Sequence, residues 1–281
     1  MTHPSATTGP RPQRVYFYAT CVVDLMAPGA GYDAIELMRG AGIEVDFPRA
    51  QSCCGQPAYS SGYLDEARRV ARAQLALFPE PWPIVVPSGS CASMMAHDWA
   101  RLFAGAADAA QAQAVAARVI EFSACASAWL GIGGGANGVR PRAADRAAAG
   151  AAPRPVKVAL HTSCAARRGL GTQVPSEALL RALPGVEIVE PARVAECCGF
   201  GGTFAARHPS ISGAMVGDKL DAMRDSGAEV IVSADCGCLL NMHHAAERRR
   251  AAGAALPRCV HLASFIRERL GAADAAHRVT D

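Results

Sequence analysis

The chain has 281 residues, 51% of them hydrophobic, and a formal net charge of +3. That length allows two domains of ordinary size with real apolar cores, and eleven cysteines are too few for a small disulfide-stapled scaffold. The mild charge gives no footprint for nucleic acid, and no apolar run approaches the roughly 18 residues of a membrane-spanning helix.

The polar, proline-bearing residues 1–13 read as a disordered leader, without the apolar segment of a secretory signal. These absences together place the chain, as an expectation, in the reducing cytoplasm, where clustered cysteines point to metals or catalysis more than to disulfides. Val15-Tyr16-Phe17-Tyr18 predicts a strand leading to Cys21. Tyr32 to Arg39 has helical spacing and stops at Gly40. Ile43 to Phe47 alternates as a strand and delivers Gln51-Ser52-Cys53-Cys54-Gly55. A helix follows over roughly Tyr63 to Phe78 and is broken by Pro79, Pro81 and Pro83. Ile84-Val85-Val86 predicts a buried strand ending in Pro87-Ser88-Gly89-Ser90-Cys91, and a helix carrying Met94, Met95 and Trp99 comes next. Strands alternating with helices argue for an α/β fold with a mainly parallel sheet and flanking helices.

The second half repeats the first. Lys157-Val158-Ala159-Leu160-His161-Thr162-Ser163-Cys164 matches the segment ending at Cys21, and Ala195-Glu196-Cys197-Cys198-Gly199 echoes the vicinal pair. Val186 to Val189 corresponds to the second strand. Val230-Ile231-Val232 corresponds to the third, and leads to Ser233-Ala234-Asp235-Cys236-Gly237-Cys238. A repeat of this length predicts two tandem, pseudo-symmetric domains, 14–130 and 155–272. Between them, 131–154 is rich in Gly, Ala, Pro and Arg and reads as a flexible linker; 273–281 reads as a tail.

The repeat also sorts the cysteines. Cys125 and Cys259 have no cysteine partner in the other half and read as small buried hydrophobes. Cys21, Cys53, Cys54 and Cys91 recur as Cys164, Cys197, Cys198 and Cys238. All eight fall at strand ends or in the loops beyond them, on the sheet edge where ligands bind. Four thiolates per half are what an iron–sulfur cluster requires. Neighbouring side chains on extended backbone diverge, so the vicinal pairs can share one centre only at a turn, which Gly55 and Gly199 permit. Backbone N–H groups of Gly89, Ser90 and Gly237 are available to cluster sulfurs. Structural zinc stays open as an alternative, although vicinal cysteines suit a tetrahedral ion poorly, and so does thiol redox without metal, although no C-x-x-C motif is present. His161 is a candidate neighbour of the second centre. No flavin, nicotinamide or ferredoxin-type cysteine motif is visible.

The tandem C…CCG…C pattern, with Cys197-Cys198-Gly199-Phe200-Gly201-Gly202-Thr203-Phe204, His161-Thr162-Ser163-Cys164 and Cys238-Leu239-Leu240-Asn241, resembles the CCG-type cysteine-rich iron–sulfur family, most of all its lactate-utilisation branch. The cysteine-rich subunit of heterodisulfide reductase and the iron–sulfur subunit of glycolate oxidase are relatives. The resemblance implies iron–sulfur clusters, [4Fe–4S] in type and one or two per chain, in an electron-transfer subunit of a complex that oxidises L-lactate to pyruvate. It implies two partners, a ferredoxin-type iron–sulfur protein and a small accessory protein. A heterodisulfide-reductase-like catalytic role and a zinc-stabilised assembly module are the other readings. The family's fuller pattern ends in C-x-x-C, but Ser88 and Asp235 stand at the first position of that pair here. Cys236 is therefore a possible but displaced fifth ligand.

Overall fold

Two short runs of β-branched and aromatic residues, one near the start of each half, become the centres of two sheets. The computed structural model describes residues 9–132 and 154–271. Most of the expected linker and leader and the whole tail lie outside those residues. In the first half, β1 (Arg14–Phe17) is flanked by β2 (Glu44–Asp46) and β3 (Ile84–Val86), and β4 (Val119–Glu121) closes the edge, in the order β2-β1-β3-β4. In the second, β5 (Val156–Leu160), β6 (Val186–Ile188), β7 (Val230–Ser233) and β8 (Arg258–His261) take the order β6-β5-β7-β8. Every pairing is parallel. Parallel strands need crossover connections, and the helices supply them. The α/β reading with two repeated domains thus describes the molecule.

The period of two along each strand divides the core. Val15, Phe17 and Val85 point to one face, Tyr16, Tyr18, Ile84 and Val86 to the other. In the second half Val158, Leu160, Val230 and Val232 share the first group's core, whereas Ala159 and Ile231 enter a separate one. One face of each sheet therefore builds a core common to both halves, and the opposite face builds a core private to each.

Helices follow the same division. In the first half these are α1 (Thr20–Met26), α2 (Pro28–Gly40), α3 (Gln56–Ser60), α4 (Leu64–Leu75), α5 (Gly89–Ser93), α6 (Trp99–Leu102), α7 (Ala109–Ala116) and α8 (Phe122–Trp129). The second half has α9 (Gln173–Ala182), α10 (Phe204–Arg207), α11 (Pro209–Asp225), α12 (Cys236–Ala251) and α13 (Leu262–Arg269). Across the common core, α2 packs on α13 and α8 on α9, the exchange that a pseudo-twofold relation requires. Arg267 on α13 pairs with Asp33 on α2 at 2.5 Å, both side chains largely shielded. No helix among the described residues is long and apolar enough to cross a membrane.

Two local features differ from the sequence reading. Cys21, Cys91, Cys164 and Cys238 do not sit in loops but in the opening turns of helices, because only two or three residues separate each strand from the helix that follows. Between α5 and α6, and again after Cys164, the helix widens into π segments at Met94–Asp98 and Ala166–Leu170. Single π turns of this kind often mark functional sites.

Candidate metal centres

The strand order sets the location of each centre. The chain leaves β1 for β2 on one side and returns to β3 on the other, so the crevice beyond the ends of β1 and β3 is the switch point of the sheet, where ligands bind. Cys21 follows β1, Cys53 and Cys54 follow β2, and Cys91 follows β3. Cys164, Cys197, Cys198 and Cys238 occupy the same places around β5, β6 and β7.

Side-chain contacts run in an unbroken series in each half. The thiols of Cys21 and Cys54 both donate to the sulfur of Cys53, and Cys54 also contacts Cys91. Cys164 and Cys198 contact Cys197 in the same way, and Cys198 contacts Cys238. The two central sulfurs are consequently the ones poised to carry charge. Hydrogen bonds from Cys21, then Cys54, hold Cys53 down at about 3; those from Cys164, then Cys198, hold Cys197 at about 2. The donor thiols of Cys21 and Cys164 are pushed up correspondingly. Four cysteine sulfurs gathered in one series of contacts suit a metal or metal–sulfur group that binds thiolates. Within each set two cysteines are buried and two are partly exposed, with Cys21 and Cys53, or Cys164 and Cys197, at the rim.

The vicinal pairs turn on their glycines. Gly55 has φ +89° and Gly199 φ +78°, in the left-handed region where other residues are disfavoured. A Cβ would lie 2.9 Å from the Ala67 carbonyl oxygen at the first position and 2.8 Å from that of Ser212 at the second. Each glycine N–H also points back at the first cysteine of its pair, 3.4 Å from Cys53 Sγ and from Cys197 Sγ.

Second-layer contacts hold these loops, and the sequence reading did not single out most of the residues that make them. Gln51 ties its loop to the end of β1, accepting from Ala19 N–H at 2.6 Å and donating to the Phe17 carbonyl at 3.2 Å. Gln74 and Ser52 bond reciprocally, each contact 2.8 Å. Tyr18 donates to the Ser52 carbonyl at 2.7 Å. The Trp99 indole holds the Cys54 carbonyl at 2.9 Å, and in the second half the Asn241 amide holds the Cys198 carbonyl at 2.8 Å. Immediately before Cys21, the β-branched Thr20 has φ +71° and a buried hydroxyl with no partner among the described residues. Strain of that kind costs on the order of 1–3 kcal/mol and tends to sit at functional sites.

The remaining candidates fall in three places. His161 is buried and has a ring nitrogen within 4.8 Å of both Cys198 and Cys238 sulfurs; burial, then the charge of Lys219, lowers it to about 3. Cys236 is buried in the core common to both halves, while Cys198 and Cys238 belong to the private core of the second half. Cys125 is fully buried in the common core, and Cys259 packs partly buried against the private one. The Gly89 and Ser90 amides, expected to face sulfur, instead cross to the other half: Gly89 N–H reaches the Ala234 carbonyl at 3.0 Å and Ser90 N–H the Asp235 carboxylate at 2.7 Å. The same carboxylate caps α12 through Cys238 N–H at 3.4 Å. A single side chain thus links the backbone beside Cys91 to the backbone of Cys238.

Two parallel-sheet domains, each gathering four cysteines at its switch point, define a duplicated cysteine-rich domain protein. The chain belongs to the CCG cysteine-rich domain family, whose pattern matches residues 15–96 and 158–243. Among its relatives are proteins named Lactate utilization protein A. That of Macrococcus caseolyticus is 37% identical, over 84% of this chain and 90% of the relative. Lactate utilization protein A 1 of Bacillus mycoides is also 37% identical, over 82% and 88%, and the Geobacillus protein is 36% identical, over 82% and 90%.

Proposed function

We propose that this chain is an iron–sulfur electron-transfer subunit in the oxidation of L-lactate to pyruvate. The observation that carries the reading is the convergence of four cysteines at the same point of each of two sheets, beyond the ends of the two central strands. Cys21, Cys53, Cys54 and Cys91 would hold one [4Fe–4S] group, and Cys164, Cys197, Cys198 and Cys238 a second. When bound, such a group supplies one-electron storage and release. The chain's own residues do the rest. Gly55 and Gly199 turn the vicinal pairs and aim N–H groups at sulfur, Trp99 and Asn241 fix the carbonyls behind them, and the partly exposed rim cysteines leave each site open to a partner. The link from Ser90 through Asp235 to Cys238 joins the backbone of one site to that of the other.

Dehydrogenation of the hydroxy acid is assigned to partners, a ferredoxin-type iron–sulfur protein and a small accessory protein, working with this chain in the cytoplasm. The names of its relatives support the lactate connection. Anaerobically purified protein mixed with those partners and L-lactate should bleach in its visible absorption, and the chain alone should not. Unaltered absorption in the complete mixture, with pyruvate still formed, contradicts the proposal.

A further inference from the structure

The two cysteine sets share a ligand pattern but not an environment. Register between the halves follows from the glycine contacts. Gly55 faces the Ala67 carbonyl and Gly199 that of Ser212, so Ala67 and Ser212 are equivalent, and Gln74 corresponds to Lys219 one step of seven residues further along. The matched segments ending at Cys21 and Cys164 likewise pair Tyr18 with His161.

At the first site both residues are neutral and satisfied internally. Tyr18 donates to the Ser52 carbonyl, and Gln74 spends its amide on Ser52. At the second site both are nitrogen bases left with unspent hydrogen-bonding capacity. Lys219 is fully buried and donates to the Val194 carbonyl at 3.0 Å, which leaves further ammonium protons. Neither ring nitrogen of His161 has a hydrogen-bond partner among the described residues, yet the ring lies beside Cys198 and Cys238. An unpaired buried polar group is costly, so its partner is to be sought in what the cysteines hold. Lys219 is near enough to Cys198 and Cys164 to feel their charge. Two carboxylates lie nearby: Glu196, one oxygen of which is engaged by Arg193 at 3.2 Å, and Asp235, which accepts from the Ser90 and Cys238 N–H groups at 2.7 and 3.4 Å. Arg168 adds positive charge beside Cys164.

A thiolate-bound iron–sulfur group gains one negative charge on reduction, and N–H donors and buried cations favour that form. Charges in the interior are weakly screened. We propose that Lys219 and His161 make the second cysteine set the more easily reduced of the two centres, so that an electron shared between them resides in the second half. The inference rests on both sets holding iron–sulfur groups.

The test is an EPR-monitored redox titration of the anaerobic holoprotein and of Lys219→Gln and His161→Tyr, each placing the first-half residue in the second. The wild type should give two separate midpoints. In Lys219→Gln the higher should fall by a tenfold change in the oxidised-to-reduced ratio or more, which is 59 mV for one electron, and His161→Tyr should lower the same midpoint. The lower midpoint should stay in place in both. Movement of the lower midpoint, or of neither, overturns the proposal. Should the variants fail to fold, Cys53→Ser decides: it should remove the low-potential signal, and loss of the high-potential one contradicts the assignment. Protein lacking iron and sulfide altogether defeats the iron–sulfur reading itself, whereas loaded centres with the wrong order of potentials defeat this inference alone.

Discussion

At the scale of residues, the vicinal cysteines and their glycines were legible because duplication repeats them. What surrounds them was not. Gln51, Gln74, Tyr18, Trp99 and Asn241 are ordinary residue types at unremarkable spacings, and only the folded chain brings them to Ser52, Cys54 and Cys198. Lys219 carried a signal that comparison of the halves could have exposed, as one of just two lysines in a chain whose other basic residues are arginines. The glycines give a direct prediction. Alanine at Gly55 or Gly199 must adopt a left-handed backbone, worth about 1–2 kcal/mol, and push a helix carbonyl away from 2.9 or 2.8 Å. Each substitution should lower the melting temperature by about 5 °C and reduce bound iron by about half. Iron content and thermal stability equal to wild type would show that the turn is not needed.

At the scale of elements, strands rich in Val, Ile and aromatics are legible in the sequence, since both faces of a parallel sheet are buried and leave continuous apolar runs. The helix α7 is not. Its sequence AAQAQAVA is mostly alanine, which favours helix but shows no contrast between faces. The caps of α8 and α13 were equally hidden: Glu121 accepts from Ser123 N–H at 2.9 Å, and His261 at the matching position accepts from Ala263 N–H at 3.2 Å. Burial raises Glu121 to about 7 from 4.5. The neutral acid is thus favoured in the folded state. Its contribution is fully present below the unfolded value and is lost as pH rises through the folded one. Relative to Glu121→Gln, the wild-type apoprotein should lose on the order of 3 kcal/mol of stability between pH 4.5 and 7. Urea denaturation across that range measures it, and a pH-independent difference would mean that Glu121 is ionised in the fold.

At the scale of the whole molecule, the repeat foretold two domains but not how tightly they are joined. Phe17, Leu37, Phe122 and Trp129 of the first half share one core with Leu160, Leu180, Phe265 and Ile266 of the second. Nothing in the alternation of a strand says whether its second face meets a helix of its own domain or of another. At about 1.5–3 kcal/mol per buried side chain, exposing a few of these offsets much of the 5–15 kcal/mol typical of a domain. Residues 14–130 or 155–272 expressed alone should aggregate or melt well below the full chain, and the two halves expressed together should purify as a complex. A single half that is monomeric and as stable as the whole would contradict that dependence.

Each half is proposed to hold an iron–sulfur group on its four cysteines. Iron and acid-labile sulfide, quantified together on anaerobically purified protein, test it most directly. About eight of each per chain are expected for two [4Fe–4S] groups, falling to about four in Cys53→Ser and in Cys197→Ser. A colourless protein with stoichiometric zinc and no labile sulfide would contradict the account.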